Sequence, residues 1–213
     1  MSDTFDLQSA YRWIEGFAEA VGAHKEELTD LDAAIGDGDH GTNMDRGMRA
    51  VMAKLGANSS ADLGDLFKTV GMTLVSTVGG ASGPLFGTFF LALGKAWPNK
   101  ETLSADELLS GYSQAVAAVI ARGRAERGDK TMVDALLAAQ DAWEMALGGT
   151  SGDSETLSVV AAAAAEGAEQ TVPLVARKGR ASYLGKRSAG HKDPGAATVA
   201  LMMAAAADAR TGE

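Results

Sequence analysis

Apolar side chains recur at steps of three and four residues in segment after segment of this chain, the spacing that lines one face of a helix. Leu7, Tyr11, Ile14, Phe17 and Val21 form a first such face, and Met44, Met48, Val51, Met52 and Leu55 a second. Leu63, Leu66, Phe67, Val70, Leu74 and Val78 mark a third helix that stops at Gly79 and Gly80, because glycine favours chain reversal over helix continuation. Pro84 opens a fourth, with Phe86, Phe89, Phe90 and Leu93. Ser104 and Glu107 make a capping box ahead of a fifth, which carries Leu108, Leu109, Tyr112, Val116, Val119 and Ile120. A sixth spans about Thr131 to Leu147 and a seventh, alanine-rich, roughly Glu155 to Val175. The eighth begins where Asp193 caps and Pro194 occupies the first turn. Aromatics are only 6 % of the chain and prolines number four, which favours helices packed through small side chains over a sheet. The expected class is all-α.

No composition break, linker or internal repeat divides the 213 residues, so one domain over 1–213 is expected. The formal net charge of -9 argues against a general affinity for nucleic acid, which rests on Lys and Arg neutralising phosphates. The start, "MSDTFDLQSAYRW", is acidic and lacks the layout of a signal peptide, so a cytoplasmic location is expected. The longest apolar run, Ala196 to Ala207, is shorter than the roughly 20 residues a membrane span needs. Absence of cysteine excludes disulfides, thiolate catalysis and cysteine-ligated zinc.

Glycine-rich loops punctuate the helices, and "LDAAIGDGDHGTNMDRG" (31–47) crowds Asp32, Asp37 and Asp39 together although like charges repel. A solvated turn is one reading, since Asp and Gly are turn residues. Gly36, Gly38 and Gly41 also fit G-x-G-x-x-G, but a bare pyrophosphate would there meet Asp37 and Asp39 instead of free amides, and no strand–helix alternation surrounds the motif. The third reading is a magnesium site that holds a polyphosphate, because a divalent cation cancels the repulsion among hard carboxylate donors. An EF-hand needs an oxygen side chain at the fifth loop position, where Gly41 stands. His40, Thr42 and Asn43 follow at the start of a helix, where they can donate to phosphate oxygens. For His40 the spacing alone does not choose between that role and a turn residue bonded to backbone. His24 reads as exposed, and His191 as structural.

Three further loops suit a nucleotide without a P-loop, whose G-x-x-x-x-G-K-[ST] pattern does not occur. In "TVGGASGPLFGT" the small residues Gly79 to Gly83 serve either tight helix packing or close approach of a ligand to amides and the Ser82 hydroxyl. In "RGRAERGDKTMVDAL", Gly123 and Met132 offer small and pliable apolar surface of the kind that accepts an adenine ring. The segment "RKGRASYLGKRSAGHKDPGA" concentrates Arg177, Lys178, Arg180, Lys186, Arg187 and Lys192 in an otherwise acidic chain. It is either a solvated face or a complement to phosphates or an acidic partner.

Together, "LDAAIGDGDHGTNMDRG", "GGASGPLFGT", "GDKTMVDAL" and "GRASYLGKRSAGHKDPGA" resemble the nucleotide-binding L subunit of dihydroxyacetone kinases of the phosphoenolpyruvate-dependent type, in the family's order and over almost the whole chain. The resemblance implies a barrel of eight antiparallel helices with ADP and two magnesium ions at one end. It places the metal on Asp32, Asp37 and Asp39. It places nucleotide contacts on His40, Gly41, Thr42 and Asn43, on Ala81 and Ser82, on Gly123 and Met132, and on Arg180, Asp193, Pro194 and Gly195. Arg180 and His40 are expected to add positive or hydrogen-bonding character at the phosphates, and no general base is assigned. In the family a phosphohistidine carrier, the M subunit, phosphorylates bound ADP, and the phosphate passes to dihydroxyacetone on a separate K subunit. The chain is too short to include the K part, so both partners are expected, as is a homodimer. An ATP-dependent kinase subunit for another short ketose, such as a tetrulose, and a non-catalytic nucleotide-binding regulator are the alternatives.

Overall fold

The computed structural model of the chain describes residues 5–57, 59–147 and 153–211; Asp3, part of the acidic start, lies outside them. The structure is mostly helical. The α-helices are α1 (Leu7–Ala23), α2 (Lys25–Ile35), α3 (His40–Ala57), α4 (Leu63–Thr77), α5 (Ser82–Ala96), α6 (Ala105–Gly123), α7 (Met132–Leu147), α8 (Asp153–Glu169) and α9 (Pro194–Thr211). A 3-10 helix runs over Arg180–Ser188, and two short strands, β1 (Phe5–Asp6) and β2 (Thr102–Leu103), pair antiparallel with Phe5 opposite Leu103.

Helix starts follow local chemistry. Asp6 caps α1 by accepting from Ser9 N at 2.8 Å, and Asp62 caps α4 by accepting from Asp65 N at 2.8 Å. The Ser104–Glu107 capping box opens α6 as the sequence predicts. The expected seventh helix is shorter than predicted: α8 ends at Glu169, and the chain turns through Thr171 and Val172, whose amides bond three residues back to Ala168 and Glu169. Pro173 follows, and a proline disfavours helical backbone in the residue before it.

Eight of the α-helices coincide with the eight predicted, and α2 is additional among the described residues. Its buried face is Leu28, Asp32 and Ile35, so a carboxylate interrupts the apolar repeat by which the others were found. Neighbouring helices pack in a circuit, α1 on α3, α3 on α4 and so on through α9, which returns to α1, while α2 lies outside it against α3 and touches α9 and the 3-10 helix. Trp13 closes the circuit by donating from Nε1 to Met202 O at 2.8 Å. Inside, Phe17, Phe67, Phe86, Phe89 and Phe90 are fully buried, and each such side chain contributes roughly 1.5–3 kcal/mol by leaving water. α4 approaches α5 closely: a Cβ on Gly71 would stand 2.7 Å from Leu91 N and 2.8 Å from Gly87 O, so only glycine fits.

Among the described residues no helix is long and apolar enough to cross a membrane.

Candidate functional site

The turn between α2 and α3 is built around Asp32. From the last turn of α2 its Oδ2 accepts from Asp39 N at 2.9 Å and His40 N at 3.2 Å, satisfying amides at the start of α3 that have no partner within the helix. Gly38 between the two following aspartates has φ +72°, a left-handed conformation that glycine adopts without strain. The turn it permits brings carboxylate oxygens of Asp32, Asp37 and Asp39 within 4.8 Å of one another, with Asp32 buried and the other two exposed. Arg180 approaches from the 3-10 helix, its Nη2 3.0 Å from Asp37 Oδ2. Three hard oxygen donors converging on one point with two faces open suit a divalent cation such as magnesium.

The cluster lines a cavity of about 360 Å³. The wall also includes Gly79 to Ser82 at the start of α5 and the apolar side chains of Leu85, Phe86, Val119, Met132 and Val133. Lys178 and Arg180 line it as well, as do Asp193, Pro194 and Gly195 at the start of α9. A cavity of this size whose wall combines a carboxylate cluster able to hold a cation with apolar side chains suits a ligand with an anionic tail and a flat apolar body.

His40 is fixed between two hydroxyls. Thr198 Oγ1 donates its one proton to Pro194 O, 2.9 Å away, so toward His40 Nε2, at 2.7 Å, it accepts. Burial pushes the imidazole down to about 4, against the opposing influence of Asp32 and Asp39, so the ring is neutral at pH 7. Nε2 then carries the ring proton and Nδ1 accepts from Ser82 Oγ at 2.9 Å. His40 therefore supplies no positive charge, contrary to one of the options read from the sequence, and the Ser82 proton is committed to it. Beside it the start of α5, where helical amides lack internal partners, lines the cavity.

At the start of α9, Asp193 Oδ2 accepts from Ala196 N at 2.7 Å, and Asp193 N donates to Thr171 Oγ1 at 2.9 Å. Burial pushes the Asp193 carboxyl up to about 7, opposed by the Ala196 hydrogen bond and the Lys130 ammonium.

Of the residues singled out in the sequence, Asp32, Asp37, Asp39, His40, Ala81, Ser82, Gly123, Met132, Arg180, Asp193, Pro194 and Gly195 all line the cavity. Gly41, Thr42 and Asn43 are not among its lining residues. Gly41 is buried where a Cβ would overlap Lys25 O, Thr42 is exposed, and buried Asn43 accepts from Arg46 Nη2 at 2.7 Å. His24 is exposed beside Glu27, as expected, whereas His191, read as structural, is exposed and contributes its main-chain carbonyl as an acceptor for Lys130 Nζ. In the basic segment Arg177 stands 3.9 Å from Asp129, and Lys192 pairs with Glu169, so the segment does not act as one patch. Sequence reasoning missed Ile35, Arg122 and Lys130, which also line the cavity. Nothing in the local pattern of Lys130 separates it from a solvated lysine.

Comparison with known proteins gives a consistent result. Residues 34–208 match the family model described as the DAK2 domain. The chain is 45 % identical over 199 residues to the ADP-binding subunit DhaL of PEP-dependent dihydroxyacetone kinase 1 from Listeria innocua, covering 93 % of this chain and 94 % of that one. It is 43 % identical over 191 residues to the corresponding Escherichia coli subunit, covering 90 % and 91 %. The crystal structure of the C. freundii dihydroxyacetone kinase in complex with AMP-PNP and Mg2+ superimposes with a TM-score of 0.68 at 29 % identity. That match covers 92 % of this chain and 33 % of the other, so the chain spans about a third of the kinase it resembles.

Proposed function

The chain belongs to the DAK2 domain family, and on that premise we propose that it is the ADP-binding subunit of a phosphoenolpyruvate-dependent dihydroxyacetone kinase. The observation that carries the reading is the convergence of Asp32, Asp37 and Asp39 in the wall of a cavity that is otherwise largely apolar. Relatives named as ADP-binding subunits align over nearly their whole length. The closed circuit of eight helices is read as a barrel of antiparallel neighbours, with α2 attached outside it to deliver Asp32.

In this reading Asp32, Asp37 and Asp39 hold two magnesium ions. Bound there, they would neutralise phosphate oxygens, the main requirement of phosphoryl transfer beyond in-line positioning. The chain's own residues do the rest. Asp32 orients the turn through two backbone amides, Arg180 places a guanidinium beside the terminal phosphates, and the start of α5 offers backbone donors. Leu85, Val119, Met132 and Gly123 enclose the base. His40 acts by holding Ser82 and α9 together and not as a charge. No general base is assigned, because the hydroxyl to be phosphorylated sits on the partner.

The partners are a K-type subunit that holds dihydroxyacetone and a phosphohistidine carrier of the M type, with the chain acting as a homodimer in the cytoplasm. The test is to mix the purified chain with K and M proteins and follow labelled phosphate from phosphoenolpyruvate into triose phosphate, with native mass spectrometry reporting bound ADP, metal and subunit number. Transfer through retained ADP is expected. A chain that holds ADP and magnesium yet fails to support transfer with every K-type partner would point to the regulatory alternative, and transfer only to a tetrulose would point to the other.

A further inference from the structure

Lys130 is 1 % exposed and sits in the connection between α6 and α7 with φ +62°, a left-handed conformation that side chains other than glycine adopt sparingly. Burying an ammonium and holding that backbone both cost free energy, so the residue is expected to return something for them. Its Nζ donates to Thr171 O at 2.5 Å, to His191 O, and to Val172 O at 3.5 Å. With its protons directed at carbonyls, the ammonium is neither a nucleophile nor a free phosphate ligand. It ties three chain segments together: the α6–α7 connection, the turn after α8, and the approach to α9. Two bonds repeat the second link, Gly190 N to Val172 O at 2.8 Å and Asp193 N to Thr171 Oγ1 at 2.9 Å.

These segments end on the cavity. Met132 follows Lys130 by two residues, and Gly195 follows Asp193 by two. The two meet: a Cβ on Gly195 would stand 3.4 Å from Met132 Cβ. We propose that Lys130 is a positioning residue for nucleotide binding, its ammonium setting the separation of Met132 from the Asp193–Gly195 turn by gripping the turns behind them. The proposal rests on the reading of the cavity as a nucleotide site. Burial pulls the Lys130 ammonium below its ordinary range, opposed by the nearby Asp193 and Asp134, so the grip rests on the three carbonyl hydrogen bonds.

The absence of cysteine from the chain makes the charge itself testable. Lys130→Cys is alkylated in denaturant with 2-bromoethylamine, which rebuilds a lysine-length ammonium, or with 1-bromopropane, which rebuilds the same length without charge, and the chain is refolded. ADP affinity is measured by calorimetry with and without magnesium. Lys130→Cys is expected to bind ADP about tenfold more weakly, the loss of one hydrogen-bonded charge, and by the same factor in both conditions because the aspartate cluster is untouched. The aminoethyl adduct restores affinity and the propyl adduct does not. Equal recovery by the two adducts, or wild-type affinity in Lys130→Cys, overturns the proposal. Thr171→Val, which removes the acceptor for Asp193 N without touching the lysine, is expected to weaken ADP in the same direction; it carries the test if the cysteine variant does not refold, and unchanged affinity in it also counts against the proposal. Failure of the wild-type chain to bind ADP would instead defeat the nucleotide reading itself.

Discussion

Arg180 spans the mouth of the cavity to Asp37, Nη2 to Oδ2 3.0 Å, joining the 3-10 helix to the turn between α2 and α3. Both side chains are substantially exposed, so the pair adds less than about 1 kcal/mol to stability. Under the proposed function its weight lies in ligand binding, where a guanidinium fork beside the carboxylates suits phosphate oxygens. Arg180→Met is expected to leave the melting temperature nearly unchanged while weakening ADP binding in magnesium roughly tenfold. Arg180→Lys should recover part of it, since lysine keeps the charge without the fork. Calorimetry paired with a thermal melt measures both, and unchanged ADP affinity in Arg180→Met would remove the residue from the site.

The three aspartates should separate by burial. Asp37 is exposed on the turn, so Asp37→Ala is expected to abolish magnesium-dependent retention of ADP with helix content intact. Asp32 also accepts from Asp39 N and His40 N, so Asp32→Ala leaves two amides without their acceptor and should cost about 1–3 kcal/mol of stability besides the same loss of ADP. ADP and metal content after gel filtration, with circular dichroism and denaturant midpoints, distinguish the two. Normal ADP content in Asp37→Ala would refute the metal assignment.

His40 is a test of buried hydrogen bonding. Thr198→Val keeps the shape of the side chain but removes the only acceptor seen for His40 Nε2 among the described residues, leaving a buried N–H unpaired. A loss of about 1–3 kcal/mol is expected, read as a lower urea midpoint with the slope unchanged. Because His40 also holds Ser82, ADP affinity should fall with it. A stable variant with normal affinity would mean that the ring is held by something else.

What could be read from the sequence follows a physical line. Helices with continuous apolar faces, such as the one through Leu63, Leu66, Phe67, Val70 and Leu74, are legible because burial alone specifies them. The acidic turn is legible because carboxylates crowded among glycines are costly without a cation. α2 was missed because the residue that makes it useful, Asp32, occupies a core position of its face. Lys130 was missed because its partners are main-chain carbonyls more than 40 residues away in sequence, and no side-chain pattern announces a carbonyl. The protonation of His40 was equally hidden, since Ser82 and Thr198 come from α5 and α9 and meet the ring only in the folded chain.

Asp193 gives the site a pH dependence of definite sign. Its carboxyl ordinarily titrates near 3.8 and burial moves it up to about 7 in the folded chain. Between those values the folded state holds a proton that the unfolded state has released, so this group's contribution is fully present below the lower value and is lost as pH rises through the upper one. Asp193→Asn keeps an oxygen to accept from Ala196 N but cannot ionise. The variant should therefore match the wild type most closely near pH 4 and gain on it steadily up to about pH 8, while other carboxylates titrate alike in both proteins and cancel. Urea midpoints of the pair across that range measure the difference. A difference that does not change with pH would show that Asp193 ionises in the folded chain as readily as in water, and that the Lys130 ammonium and the Ala196 amide outweigh the burial that opposes them.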